Sequence, residues 1–194
     1  MNTTFVRKQK EASDGNSATD DSISVAQVVS FNLANEHYGI NILNVQEIIL
    51  VSEITSIPEV PSYVEGLINL RGKVIPVIDL RRRFGLSAVD YSENTRIIVT
   101  NTSQRTIGLV VDEVHEVLRL EENQIEPLPE RLTNVDASYI TGVVKLEDRI
   151  LILLDTEAVI SDKTQTCLTQ AVSATSGSSA PEASTTSSST AIKA

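Results

Sequence analysis

The side chains that could do chemistry are few and scattered. There are two histidines, His37 and His115, and one cysteine, Cys167. Nucleophilic catalysis needs a nucleophile with a base in reach. No Gly-x-Ser-x-Gly elbow accompanies either His, and Cys167 has no His beside it and no basic neighbour closer than Lys163. A metal centre would need both histidines plus carboxylates, and no local spacing supports one. A single Cys also excludes an internal disulfide framework or a multi-Cys zinc site. The carboxylate pairs Asp112–Glu113 and Glu121–Glu122 fall beside loops or strand ends and read as a solvated face. Gly66 to Lys73 runs Gly-x-x-x-x-x-Gly-Lys, one residue too long for a phosphate loop, and Val74 stands where Ser or Thr is required. Arg81, Arg82 and Arg83 form the only dense basic cluster. They read as a short polar helix face partly balanced by Asp79 and Asp90, or as a contact for nucleic acid or an acidic partner. Phe84 alone is no stacking platform for bases. There remains Arg71 at a hairpin tip, in Asn69-Leu70-Arg71-Gly72. Arg offers five donors in a planar fork and suits an acidic protein partner. The residues point to recognition rather than reaction: no enzyme, no cofactor and no metal are expected.

These residues must be positioned by short elements. Val28 to Leu33 and His37 to Ile42 read as strands around a turn at Ala34 to Glu36. Leu43 to Ile48 reads as one helical turn, and Ile48 to Ile57 as extended until Pro58 and Pro61. Gly66 to Leu70 and Val74 to Leu80 form a hairpin around Arg71–Gly72, since Gly tolerates the turn dihedrals that other residues resist. Arg81 to Phe84 is a short helix or turn closed by Gly85. Arg96 to Asn101 with Thr106 to Val111, and Tyr139 to Leu146 with Arg149 to Asp155, read as further hairpins. Glu116 to Leu120 is a strand between them. Many short strands and no helix of three turns give a mainly β class, a barrel or sandwich.

The chain has 194 residues, with 16 Lys and Arg against 26 Asp and Glu, a formal net charge of −10. The middle, residues 24–162, carries all of it, because the two ends nearly cancel. Such a body repels a phosphate backbone, so nucleic acid is not an expected partner. No apolar run approaches the ~18 residues that span a bilayer, and no signal peptide stands out, so a soluble, intracellular protein without direct membrane insertion is expected. Residues 1–23 and 163–194 read as disordered tails. The second holds 8 Ser, 7 Thr and 6 Ala, too little apolar surface to offset the entropy of ordering.

The middle contains a repeat. Gly39 to Ile48 aligns with Gly108 to Val117 at an offset of 69, with Gly, Val45/Val114 and Glu47/Glu116 coinciding. Gly66 to Asp79 aligns with Gly142 to Asp155 at an offset of 76, with Gly, Leu and Asp coinciding. The difference places one longer loop in the second copy, at Glu121 to Asp136. Duplication predicts two similar β modules, about 24–90 and 91–162, packed together. Each is small to hold a core alone.

The run Ile57-Pro58-x-x-Pro61, then Gly66 to Phe84 with its Asn69-Leu70-Arg71-Gly72 core, closely resembles the CheW family of chemotaxis coupling proteins. So do Tyr38 to Ile48, Arg105 to Asp112 and Tyr139 to Gly142. The resemblance covers roughly 24–162. It implies two intertwined SH3-like five-stranded β-barrels with short helices. It also implies a non-enzymatic, cytoplasmic adaptor, recruited to membrane-associated receptor arrays. Its partners would be a chemoreceptor cytoplasmic tip and the regulatory domain of a CheA-type histidine kinase. Val45, Glu47 and Arg71 fall on positions associated with receptor contact, with Ile42 and Val117 as further candidates. Ile57 and Pro58 fall in the kinase-facing region of the first barrel, and Arg131 near a second kinase-contact surface. Two other readings stay open: an adaptor of a related pathway controlling pili or development, and a small β-barrel nucleic-acid binder using Arg71, Lys73 and Arg81 to Arg83.

Overall fold

The computed structural model describes residues 25–128 and 137–160. Both predicted tails, Cys167 and Arg131 lie outside the described residues. Eleven strands are described: β1 Val25–Leu33, β2 Glu36–Asn41, β3 Val45–Leu50, β4 Val64–Leu70, β5 Lys73–Asp79, β6 Arg96–Asn101, β7 Thr106–Val111, β8 Glu113–Glu121, β9 Ile125–Glu126, β10 Ile140–Lys145 and β11 Ile150–Leu154. Two one-turn helices, α1 Leu80–Arg83 and α2 Thr156–Val159, follow β5 and β11. Each starts on an Asp, Asp79 or Asp155, whose carboxylate accepts a first-turn backbone N–H.

The strands form two sheets, ordered β8-β1-β2-β11-β10-β9 and β3-β6-β7-β5-β4. Both copies of the repeat use one plan, with an exchange. β1 to β5 correspond to β6, β7, β8, β10 and β11. Each sheet takes its first two strand types from one copy and the other three from its twin. The halves are therefore interleaved: the cut at residue 90 passes between α1 and β6 but separates no sheet. The pairs β5–β7 and β11–β2, which join one copy to the other, are parallel; the pairs within hairpins are antiparallel.

Strand alternation sorts the aliphatic side chains into three layers. Phe31, Leu33, Tyr38, Ile40 and Leu154 meet Ile78, Ile98, Leu109 and Val111 between the sheets. Their neighbours in sequence point the other way. Val28, Leu120, Val144, Leu151 and Leu153 fill the inside of the first sheet, and Ile68, Ile75, Val77, Ile97, Val99 and Val110 that of the second. Each sheet thus carries apolar clusters on both faces. The chain beyond β3 returns to the far edge, where Thr55 and Leu67 exchange two backbone hydrogen bonds of 2.9 Å. Beyond β8, β9 does the same against β10. This is the SH3-like plan: a bent, nearly closed sheet joined by chain continuity.

Most hairpins stand where the sequence places them. The helical turn expected over Leu43 to Ile48 is a 3₁₀ turn at Ile42–Asn44 only, and β3 starts at Val45. Asn41 caps the start of the turn by accepting from the Leu43 N–H at 2.9 Å, and the turn ends where Val45 takes an extended backbone. The extended stretch Ile48 to Ile57 keeps strand pairing only to Leu50 and at Thr55.

Candidate functional site

The Arg71–Gly72 tip has φ of +52° and +82°. Two positive-φ residues between paired strands make the turn whose twist matches the hairpin. Asn69 secures it by accepting from the Gly72 N–H at 2.8 Å. Leu70 anchors the base on the inner core of the second sheet. Arg71 is thereby held out in solvent, its side chain 77% exposed, and donates from Nη2 to Glu47 Oε2 at 2.9 Å, with Glu47 only 19% exposed. β3 and the β4–β5 hairpin lie at opposite ends of the strand order. The ion pair therefore closes the ring that Thr55 and Leu67 close through the backbone.

A register shift between Val45 and Glu47 explains how one short strand serves two sides. Val45 pairs with Thr100 and Glu47 with the adjacent Val99, so Gln46 is the extra residue of a bulge. Without it the two side chains would share a face. With it, Val45 joins Ile42 against the core between the sheets, and Glu47 turns to Arg71. Ile48 and Leu50, next on β3, are 42% and 67% exposed, and Leu43 also projects from the 3₁₀ turn. Ile48 stands opposite Ile98, and Glu47 and Ile49 stand opposite Val99 and Ile97, so the anion–cation pair leaves one face of this edge strand and the uncovered Ile48 and Leu50 leave the other. The sequence points to Glu47 and Arg71 but not to Leu43, Ile48 and Leu50, because exposure of an aliphatic side chain has no local signal.

The same bulge recurs in the other sheet, between Val29 and Phe31 on β1 opposite β8. There Val114 packs into the central core as Val45 does, and Glu116 pairs with Arg149 at 3.3 Å. Val117 is 47% exposed on this second strand. It thus lies on the edge of the other sheet, and is not joined to Glu47 and Arg71 by the ion pair or the bulge that organises them. Ile57 is half-buried and Pro58 exposed, on the connection from β3 to β4.

The three arginines after β5 are each engaged. Arg81 grips Asp112 with two hydrogen bonds of 2.7 Å, and Asp112 also accepts from the Ala34 N–H. Asp112, not Asp90, is therefore its counter-charge, and Asp112 is a structural carboxylate rather than part of a solvated face. The hydrogen bond to Asp112 raises the Arg81 pKa further. Arg82 pairs with Glu65 at 2.8 Å and with Asp79 at 3.4 Å. Arg83 donates to the Val159 carbonyl at 2.7 Å and lies over the rings of Tyr63 and Tyr139. Arg81 and Arg83 join the two halves of the chain, Arg82 stays within the first, and the three form no free basic stripe.

Comparison with known proteins follows this geometry. Residues 27–164 match the CheW-like domain. The chemotaxis protein CheW of Klebsiella aerogenes is 46% identical over 133 residues, covering 69% of this chain and 80% of that protein. The chemotaxis protein CheW of Helicobacter pylori is 38% identical over 154 residues, covering 79% and 92%. The crystal structure of the scaffolding protein TtCheW from Thermoanaerobacter tengcongensis matches with a TM-score of 0.67 at 40% identity, covering 73% of this chain and 96% of that one. The interleaved sheets, the Asn-Leu-Arg-Gly hairpin and these matches agree, and the chain belongs to the CheW family.

Proposed function

We propose that this protein is an adaptor that couples the cytoplasmic tips of chemoreceptors to the regulatory domain of a CheA-type histidine kinase. It is recruited from the cytoplasm to membrane-associated receptor arrays, supports their assembly, and lets receptor state set kinase autophosphorylation. CheW-family proteins are non-enzymatic scaffold adaptors. Their names place the relatives in chemotaxis. Among the described residues no helix is long and apolar enough to cross a membrane, and the role needs no insertion.

The observation that carries this reading is an edge strand that presents the Glu47–Arg71 ion pair from one face and the uncovered Ile48 and Leu50 from the other. A receptor tip is a helical hairpin. An amphipathic helix offers an apolar stripe flanked by charges, which this surface complements. Val45 and Ile42 support the surface from the core side, and Val117 extends receptor contact onto the first sheet. Ile57, Pro58 and Arg131 are assigned to the kinase.

Co-sedimentation with receptor-containing membranes tests the role, with and without the kinase. The protein is expected to pellet, and kinase autophosphorylation to rise only when all three components are present. Arg71→Glu is expected to weaken receptor binding at least about tenfold, roughly 1.4 kcal/mol. Its circular dichroism and melting temperature should stay near wild type, since so exposed an ion pair contributes about 1 kcal/mol or less. Unchanged affinity in a calorimetric titration would remove the assigned surface. A wild-type protein that binds neither component would remove the coupling role.

A further inference from the structure

His37 and His115 are 78 positions apart, yet the register of the first sheet brings them together. His37 on β2 stands opposite Asn32 on β1, and Asn32 stands opposite Glu113 on β8. Residues directly opposite share a face, and His115, inside the bulge of β8 between Val114 and Val117, takes the side that its contacts with the His37 ring and Glu113 show. Asn32, His37, Glu113 and His115 therefore line one side of three adjacent strands. It is the side opposite the Phe31 and Tyr38 core. The two imidazoles meet above the middle strand with ring centroids 6.1 Å apart. Glu113 Oε2 lies 3.9 Å from His115 Nε2. Beneath them the Asn32 amide oxygen is buried without a hydrogen-bond partner.

We infer that His37, His115, Glu113 and the Asn32 amide oxygen form a site for a divalent transition-metal ion of zinc type. Two imidazoles, a carboxylate and an amide oxygen form a donor set for a borderline cation, not for a hard one such as Mg²⁺. Two imidazoles on one Zn²⁺ bring their ring centroids to about 5–6 Å, given Zn–N bonds of about 2.0–2.1 Å. As the side chains stand, no group of three or more His, Cys, Asp or Glu among the described residues could hold a metal ion. Closure therefore comes by side-chain rotation, which His115 and Glu113 are exposed enough to make. The Asn32 oxygen supplies a ligand from the middle strand, where an unpaired buried acceptor is otherwise costly. Bound metal would tie β2 to β8 across β1, clamping strands from the two halves of the chain. This site is separate from the Glu47–Arg71 surface and does not depend on the coupling role.

The test uses the full chain with Cys167→Ser, so that no thiolate competes for metal. It is titrated with ZnCl₂ near neutral pH by calorimetry, while sedimentation velocity follows its state of association. One ion per monomer is expected, with no comparable binding of Mg²⁺. His37→Ala and His115→Ala should each weaken it at least about tenfold, and Glu113→Gln should weaken it less. His37→Gln and His115→Gln repeat the test should an alanine variant fail to fold. No binding of zinc in the micromolar range overturns the proposal. So does binding that survives loss of either histidine, or binding that occurs only as zinc links two chains.

Discussion

Tyr91, on the connection from α1 to β6, is 40% exposed, yet its phenol is pushed up to about 12 from an ordinary 10.0. Burial is the largest cause, followed by the charges of Glu65 and Asp79; Arg82 opposes them. The folded chain thus holds the neutral phenol where the unfolded chain has already released its proton. Stability from this source is complete below pH 10 and falls as pH rises through about 12. Urea unfolding at a series of pH values should show Tyr91→Phe with a shallower fall across that window. Tyr38, raised by its own burial, acts with the same sign, so the slope shrinks without vanishing. An identical slope in wild type and variant would place the late phenol elsewhere. At this scale the sequence was legible where chemistry is local. Asn69, Arg71 and Gly72 declare their turn through residue type alone. Asp112 as the partner of Arg81, 31 residues away, and His37 as the neighbour of His115 depend on sheet register, which no local spacing encodes.

Among the elements, the strand that returns to close each sheet depends on a glycine. At Gly66, with φ of +152°, an added Cβ would meet the Thr55 carbonyl and the Ile54 side chain. At Gly142, the aligned position of the second copy, it would meet the Glu126 carbonyl and the Ile125 side chain. At each position one of the crowded neighbours is a backbone carbonyl, which cannot give way cheaply. Gly66→Ala should lower stability by about 1–3 kcal/mol through strain and a displaced Thr55–Leu67 bridge. Denaturant unfolding measures the loss, and amide exchange should quicken at Thr55 and Leu67 ahead of Ile98. Unchanged exchange there would mean that closure does not need the bridge. The alignment of Gly66 with Gly142 is visible in the sequence, but its cause, a crossing backbone, is not. The bulge at Gln46 was hidden for a similar reason. Val45-Gln46-Glu47-Ile48-Ile49-Leu50 has no regular alternation to interrupt, and only its partner β6 reveals the extra residue.

For the whole molecule, the repeat tells that two copies exist but not how they exchange strands. Alternating Val, Ile and Leu mark which positions face a core, and either copy's strands satisfy that pattern. In the folded chain β1 and β2 lie between β8 and β11, while β6 and β7 lie between β3 and β5. A half ending at residue 90 keeps five strands but loses both foreign neighbours of β1–β2, and exposes Ile78, Phe31 and Leu33 from the central core. To fold alone it would have to pair β1 and β2 with its own β3 and β5. The short 3₁₀ turn between β2 and β3, tied to Thr156 by Asn44 at 3.2 Å, directs them apart. A unit of that size is also marginal without its partner's apolar face. Fragments 1–90 and 91–194 should each give collapsed amide spectra alone and recover dispersed β signals when mixed one to one. If fragment 1–90 is dispersed and monomeric by itself, the unexchanged pairing is within reach of the native one. The exchange would then be set by the connection rather than by the sheets.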